Sequence, residues 1–205
     1  IVQDGSSPDC CTLLMSGFAC RYKLLPDGGR QIHAFQIPGD LLDMYSFILG
    51  YTDHAIGALT SCDVAVISHR ELQQVIALFP RISRALWRES LIDGAIAREW
   101  LTGLGRRDAH ARIAHLICEQ YHRMKAVGLA ANGILEFPVT QTEIGDALGL
   151  STVHVNRTMK VLSRTRLISY HNHQIAILDW QALQTAGQFE AAYLHFPDGS
   201  SQRSQ

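Results

Sequence analysis

The apolar and polar positions of this 205-residue chain fall into two regimes. Over residues 1–78 the apolar residues come in short runs, CCTLLM, GFACRYKLL, RQIHAFQI and AIGALTSCDVAVIS, punctuated by Gly, Pro and Asp. Runs of that length and composition predict β-strands. Pro26-Asp27-Gly28-Gly29 predicts a hairpin turn between two of them, because Pro presets φ, Asp bonds its own backbone and Gly accepts positive φ. Many short strands with no long crossover helices predict an antiparallel sandwich or barrel. Leu41 to Tyr51 breaks the pattern and reads as a short helix or irregular loop.

From His69 the period becomes helical. His69 to Leu78 predicts a short helix, and Pro80 opens a long one running to about Leu104. The long helix carries two apolar stripes, one marked by Leu91 and Ala95, the other by Trp87, Ser90, Gly94, Ala97, Leu101 and Leu104. A helix with two such stripes packs on two things. One is expected to be the strand-rich half and the other a second copy of the chain, unless both stripes are buried within one chain. Small Ser90, Gly94 and Ala97 would let two backbones come close. Gly103-Leu104-Gly105 predicts an interruption, and Asp108 can cap a new helix, so Gly103, Gly105 and Asp108 form an expected hinge. Residues 109–126 predict the next helix, with Ile113, Leu116, Ile117 and Tyr121 on its core face. Residues 127–138 turn back through Gly128 and Gly133 into a short strand before Pro138.

The densest pattern is TQTEIGDALGLSTVHVNRTMKVL, Thr140 to Leu162. Thr140 and Glu143 form a T-x-x-E capping box, with Val139 and Ile144 at its staple positions. Gly149 stops the first helix in a left-handed conformation, and Ser151 caps a second, with Leu150 and Val155 as its staple pair. Gly145 lets the two helices approach. On the second helix Val155, Met159 and Leu162 point inward. Thr152, Val153, Asn156, Arg157 and Lys160 share the opposite face. That face suits the major groove: Arg pairs with guanine, Asn with adenine, and Thr or Val methyls touch the thymine methyl. Leu167–Tyr170 and Gln174–Leu178 then read as a hairpin around Asn172, a wing beside the helix-turn-helix. Asp179 caps a last helix to about His195, and residues 196–205 form a polar tail.

Composition sharpens this only in places. The chain is 47% hydrophobic and 18% charged, enough for a sizeable core. No apolar run reaches the roughly 18 residues of a membrane span, so no membrane partner is expected. It opens at Ile1 without Met or a visible secretory signal, so the native start is expected to be missing. Net charge is −1, yet residues 105–175 hold nine Arg/Lys against five Asp/Glu. That local excess suits phosphate contacts. The five Cys form no CxxC pair, which predicts buried thiols in a reduced, cytoplasmic setting. No catalytic cluster stands out, so an enzyme is not expected.

The order of strands, one long helix, an Asp-capped hinge and a winged helix-turn-helix resembles the Crp/Fnr family of bacterial transcription regulators. The likeness covers about Cys11 to Leu178. It is sharpest at Thr140–Leu162, at Gly39-Asp40 and along the Pro80-to-Asp108 helix. It implies an α+β chain: an antiparallel β-roll (double-stranded β-helix) sensor domain of the cyclic-nucleotide-binding type with its long dimerisation helix over 1–107, then a winged helix-turn-helix DNA-binding domain over 108–195. It implies a homodimer on palindromic double-stranded DNA, with RNA polymerase as a candidate partner and an unidentified small-molecule signal at the β-roll. By motif position Thr152, Val153, Asn156 and Arg157 would face bases, and Thr140, Gln141, Ser151, Lys160 and His171 phosphates. Val153 stands where many members carry Glu, so the half-site is expected to differ there.

The cyclic-nucleotide branch holds ribose and phosphate with Gly-Glu-Leu and Arg-Ser. Here those stretches read Asp43-Met44-Tyr45 and Thr52-Asp53 beside His54, with no Arg among them, and the long helix offers Ala97-Arg98 in place of a hydroxyl pair. Binding of a cyclic nucleotide in the usual mode is not expected. Cys10-Cys11 and Cys20 lack the spacing of an iron–sulfur cluster. His115, Cys118 and His122 beside Glu119 could gather a metal or simply pack. His33 and His54 could suggest a haem or metal ligand, and Cys20 and Cys62 redox thiols, but packed side chains are the plainer account. No cofactor or metal is therefore expected. The alternative function is a β-barrel metal or redox sensor, or an enzyme, whose helical half only dimerises.

Overall fold

The computed structural model describes residues 1–196. Strands β1 (Cys10–Ser16), β2 (Ala19–Leu24), β3 (Arg30–Gln36), β4 (Ala55–Ala58) and β5 (Asp63–Ser68) are separated by one short helix, α1 (Met44–Leu49). They form two antiparallel sheets, β1-β5 and β3-β2-β4. The run over residues 55–68 is thus two strands serving two sheets. The crossing is tight: a Cβ on Gly17, at φ +87°, would lie 2.2 Å from the Ser61 carbonyl oxygen. The Pro26–Gly29 hairpin forms as its residues dictate, with Gly28 at φ 84° and the Gly29 amide donating to Asp27 Oδ1 at 2.9 Å.

Helix α2 (His69–Leu78) starts on a capping box of Ser68 and Glu71. Helix α3 (Pro80–Arg106) has Pro80 in its first turn. The expected interruption at Gly103–Gly105 does not occur: both glycines are helical, and the helix stops at Arg107, whose backbone is extended at φ −89°, ψ 145°. A helical glycine costs only about 1 kcal/mol against alanine, too little to end a packed helix. What restarts the chain is Asp108, whose carboxylate accepts the Ala111 amide at 2.8 Å and caps α4 (Ala109–Ala126).

The two stripes of α3 divide differently from the sequence reading. Ile92, Ala95, Ile96, Trp100 and Gly103 are buried against the rest of the chain. Leu91, expected beside Ala95, is instead 72% exposed, together with Trp87 at 74% and Leu101 at 69%. Leu91 lies four residues after Trp87 and so shares the outer stripe with it. Ser90 and Gly94 are half-buried, and Leu104 turns toward the Gly149 turn, which a Cβ on Gly149 would meet at 3.5 Å.

The C-terminal half closes with a four-stranded antiparallel sheet, ordered β6 (Ala130–Ala131), β7 (Ile134–Glu136), β9 (Gln174–Ile177), β8 (Ile168–His171). Helices α5 (Gln141–Leu148), α6 (Thr152–Arg164) and α7 (Trp180–Gly187) pack with α4. The last helix is shorter than expected. It ends at Gly187, followed by left-handed Gln188 and a 3-10 turn over Ala191–Leu194. Gly187 is pressed on α4 so closely that a Cβ would lie 2.7 Å from the His115 amide nitrogen, and the chain must bend there for Leu194 to reach the core. Of the expected tail, residues 197–205 lie outside the described residues.

The chain turns at residues 107–108, but the apolar core does not divide there. Phe35 of β3 meets Trp100 of α3 with centroids 5.9 Å apart and Phe137 at 5.6 Å. Polar bonds follow the same seam. Arg123 of α4 donates to the Phe35 carbonyl and to Asp40, Arg30 of β3 pairs with Asp146 of α5 at 2.8 Å, and Gln31 donates to the Ala147 carbonyl.

Candidate nucleic-acid interface

The α5–α6 unit is held by local bonds that its residues make with themselves. Thr140 Oγ1 accepts the Glu143 amide while Glu143 Oε2 accepts the Thr140 amide at 2.7 Å. Val139, Ile144 and Val155 are buried beneath the two helix starts. Gly149 takes φ 63°, and Ser151 Oγ accepts the His154 amide. A Cβ on Gly145 would stand 2.4 Å from the Leu150 carbonyl oxygen, so the close approach is to the turn itself.

On this frame α6 buries Val155, Thr158, Met159 and Leu162. Thr152, Val153, Arg157 and Lys160 are exposed, Val153 by 80%. No ion pair engages Arg157 or Lys160 among the described residues. Asn156 is half-buried and donates from Nδ2 to Oε1 of Gln141, at the start of α5, over 3.0 Å. Thr140, Ser151 and the wing's His171 are exposed at the rim. The wing turns through Asn172 at φ 47° and His173 at φ 60°, the paired positive φ of a tight hairpin.

Three features went unread in the sequence. Thr142 Oγ1 lies 3.3 Å from Thr152 Oγ1, linking the two helix starts. The Gln141–Asn156 bond is a second link of the same kind. Arg112, read only as one positive charge, donates to the carbonyls of Arg107, Leu104 and Leu148. It ties the end of α3 to the end of α5. Their partners lie 5 to 36 residues away, so no local pattern announces them.

The other candidates are used in packing. His115 bonds the Gly187 carbonyl through Nδ1 and Tyr193 through Nε2, and Tyr193 bonds Glu119, which also accepts from Trp100. His122 packs among Trp180 and Phe189. Burial pushes the Cys118 thiol up to about 12 and Cys20 to about 11, far from a reactive thiolate. Cys62 donates to the Phe18 carbonyl.

Residues 111–186 match the Crp-like helix-turn-helix domain and residues 1–78 the cyclic nucleotide-binding domain. Over 168 residues the chain is 34% identical to the nitrogen fixation regulation protein FixK of Bradyrhizobium diazoefficiens, covering 81% of this chain and 69% of that one. It is 30% identical over 181 residues to a probable transcriptional activator of Rhizobium leguminosarum bv. viciae, covering 87% and 73%. The solved structure of FixK2 from Bradyrhizobium japonicum superposes with a TM-score of 0.81 at 26% identity, over 91% of each chain. The chain belongs to the Crp/Fnr family. It is accordingly a DNA-binding transcription regulator with the Crp/Fnr fold.

The Crp/Fnr sensor half holds a cavity of about 340 Å³ between β2, β3, α1 and α3, lined by Arg21, Gln36, Tyr45, His54, Asp93 and Ala97 among others. Arginines do line it, contrary to the sequence reading, but each is already engaged. Arg21 pairs with Asp93 at 2.6 Å, Arg123 with Asp40 at 2.8 Å, and Lys23 with Asp4 at 3.6 Å. The carboxylates of Asp53 and Asp93 stand on the same wall. A cyclic nucleotide's phosphate would meet them without an unpaired cation in reply, so these residues do not fit that ligand. Two buried polar atoms on the wall, Gln36 Oε1 and His54 Nε2, have no partner among the described residues.

Proposed function

We propose that the protein binds a two-fold symmetric DNA site as a homodimer, with α6 in the major groove and the wing beside it. The single observation that carries this reading is the outer face of α6. Thr152, Val153, Arg157 and Lys160 stand exposed on a helix whose start and approach are fixed by two caps and a left-handed glycine. An outward Arg and Asn on such a frame can address base edges, while Thr140, Ser151, Lys160 and His171 rim it toward phosphates. Exposed Trp87, Leu91 and Leu101 form an apolar stripe on α3 that a second copy would cover, with Ser90, Gly94 and Ala97 allowing close approach. Half-sites about one DNA turn apart follow from such a dimer. The partner DNA puts the protein in the cytoplasm, with RNA polymerase as its second macromolecular partner.

Regulation, in this reading, runs through the β-half cavity, whose wall includes Gly94 and Ala97 of α3. A small molecule there would bias α3 and, through the Arg107–Asp108 joint, the two DNA-facing units. The test is fluorescence anisotropy with upstream promoter duplexes. Arg157→Ala should lose about 1–3 kcal/mol of specific binding. Equal binding by both proteins would remove the reading.

A further inference from the structure

We infer that Gln141 is a positioning residue for base readout, holding the Asn156 amide as a fixed adenine reader, with Val153 reading a neighbouring thymine methyl. This rests on the reading of α6 as the groove-facing helix and goes beyond it by naming the side chain that fixes the reader. The juxtaposition that carries it is the 3.0 Å bond from Asn156 Nδ2 to Gln141 Oε1, which spans from the first turn of α5 to the middle of α6.

An unrestrained asparagine amide rotates freely about its last torsion and can present either edge. Adenine asks for one arrangement: a donor to N7 and an acceptor for the N6 amino group, side by side. The Gln141 bond consumes one hydrogen of the Asn156 amide, leaving an N–H and Oδ1. If both amides were flipped together, Gln141 would donate to Asn156 Oδ1 instead, and Asn156 would still keep both N–H groups and one lone pair on Oδ1. The donor–acceptor edge survives either assignment, and a locked edge requires no torsion to be frozen when DNA binds. Guanine, with two acceptors at N7 and O6, cannot satisfy Oδ1.

Beside this amide, Val153 is 80% exposed and offers only methyl groups. It can accept no hydrogen bond from a cytosine amino group, and it can touch the thymine 5-methyl. Gln141 itself lies at the first position of α5, where a phosphate contact is the competing role.

The experiment is selection of the intact protein against random duplex DNA, followed by anisotropy titrations on the selected duplex and its single-pair variants. The wild type should enrich an adenine and a thymine in each half-site, and replacing that A·T pair by G·C should weaken binding about 5- to 150-fold. Gln141→Ala should reduce that penalty to within about two-fold. Gln141→Glu, which keeps an acceptor for Asn156 Nδ2, should retain the penalty even as the added charge weakens binding to every duplex. Val153→Glu should move the thymine preference toward cytosine.

A Gln141→Ala protein that keeps the full A·T-to-G·C penalty while losing affinity for all duplexes would make Gln141 a phosphate contact and overturn the inference. So would a selected site with no adenine dependence on Asn156. Neither result touches the wider reading, which fails only if the wild type enriches no site at all.

Discussion

Two helix junctions of this chain, α5–α6 and α3–α4, are built on opposite principles. Between α5 and α6 the turn is made by neighbours: Gly149 at φ 63°, the Ser151 cap, and Gly145 against the Leu150 carbonyl. Between α3 and α4 only Asp108 is a local device, and the angle is held by distant side chains. Arg112 spans to Leu104 and Leu148, Arg107 to Glu99, and Trp100 to the buried carboxylate of Glu119. A locally made turn has one geometry whatever surrounds it. A joint held by reach-over bonds can open when those bonds do. The first suits a fixed reading head, the second a place where the two halves of a regulator change their relation.

The most damaging test falls on the rigid turn. Gly145→Ala sets a methyl 2.4 Å from the Leu150 carbonyl oxygen, backbone that cannot give without moving the turn. Chemical denaturation should show a loss of about 2–4 kcal/mol, and DNA binding should fall with it. Retained stability would mean that the turn is softer than its caps imply.

The joint should answer to acid. Burial, with the Arg107 guanidinium nearby, holds the His115 imidazole down to about 4 from an ordinary 6.5. The folded pKa is the lower one, so between these values the unfolded chain binds more protons. Stability from this group is therefore intact above about pH 6.5 and falls away as pH drops toward 4, by about 3 kcal/mol. Glu119, pushed up by burial, slopes the other way. The measurement is thus the difference between the wild-type and His115→Gln stability curves over pH 4–7. A flat difference would release His115 from the joint's bonding.

Arg112→Met keeps the stem and strips three carbonyls of their donor. About 2 kcal/mol of stability should go. Hydrogen exchange should rise at the end of α3 and the start of α4 while α6 stays protected. Uniform loss of protection across α6 would mean that the two junctions are not independent.

These contrasts also explain what could be read in advance. Thr140, Glu143, Gly149 and Ser151 speak within four residues of each other's partners, so the helix-turn-helix was legible residue by residue. The Ser68–Glu71 box was equally local and simply went unnoticed. Arg112 looked like surface charge because Leu148 is 36 residues away. The Asn156–Gln141 bond was hidden for the same reason, being a contact between helices. Leu91 was put on the wrong stripe because periodicity orders the faces of a helix without saying which one meets the core.

Gly105 gives the gentlest and most direct comparison, since the sequence reading made it a hinge and the structure makes it the last full turn of a helix. It is exposed, helical, and a Cβ there would meet nothing within 4 Å. Under the helical account Gly105→Ala removes only backbone freedom from the unfolded chain, so thermal or denaturant unfolding should show a gain of about 0.4–1 kcal/mol. Promoter affinity should not move. Under the hinge account the same methyl would stiffen the pivot, and DNA binding would change while stability rose. A gain in stability with unaltered binding would set the pivot at Arg107–Asp108, where the backbone leaves the helix and distant arginines, not glycine freedom, decide how easily the halves part.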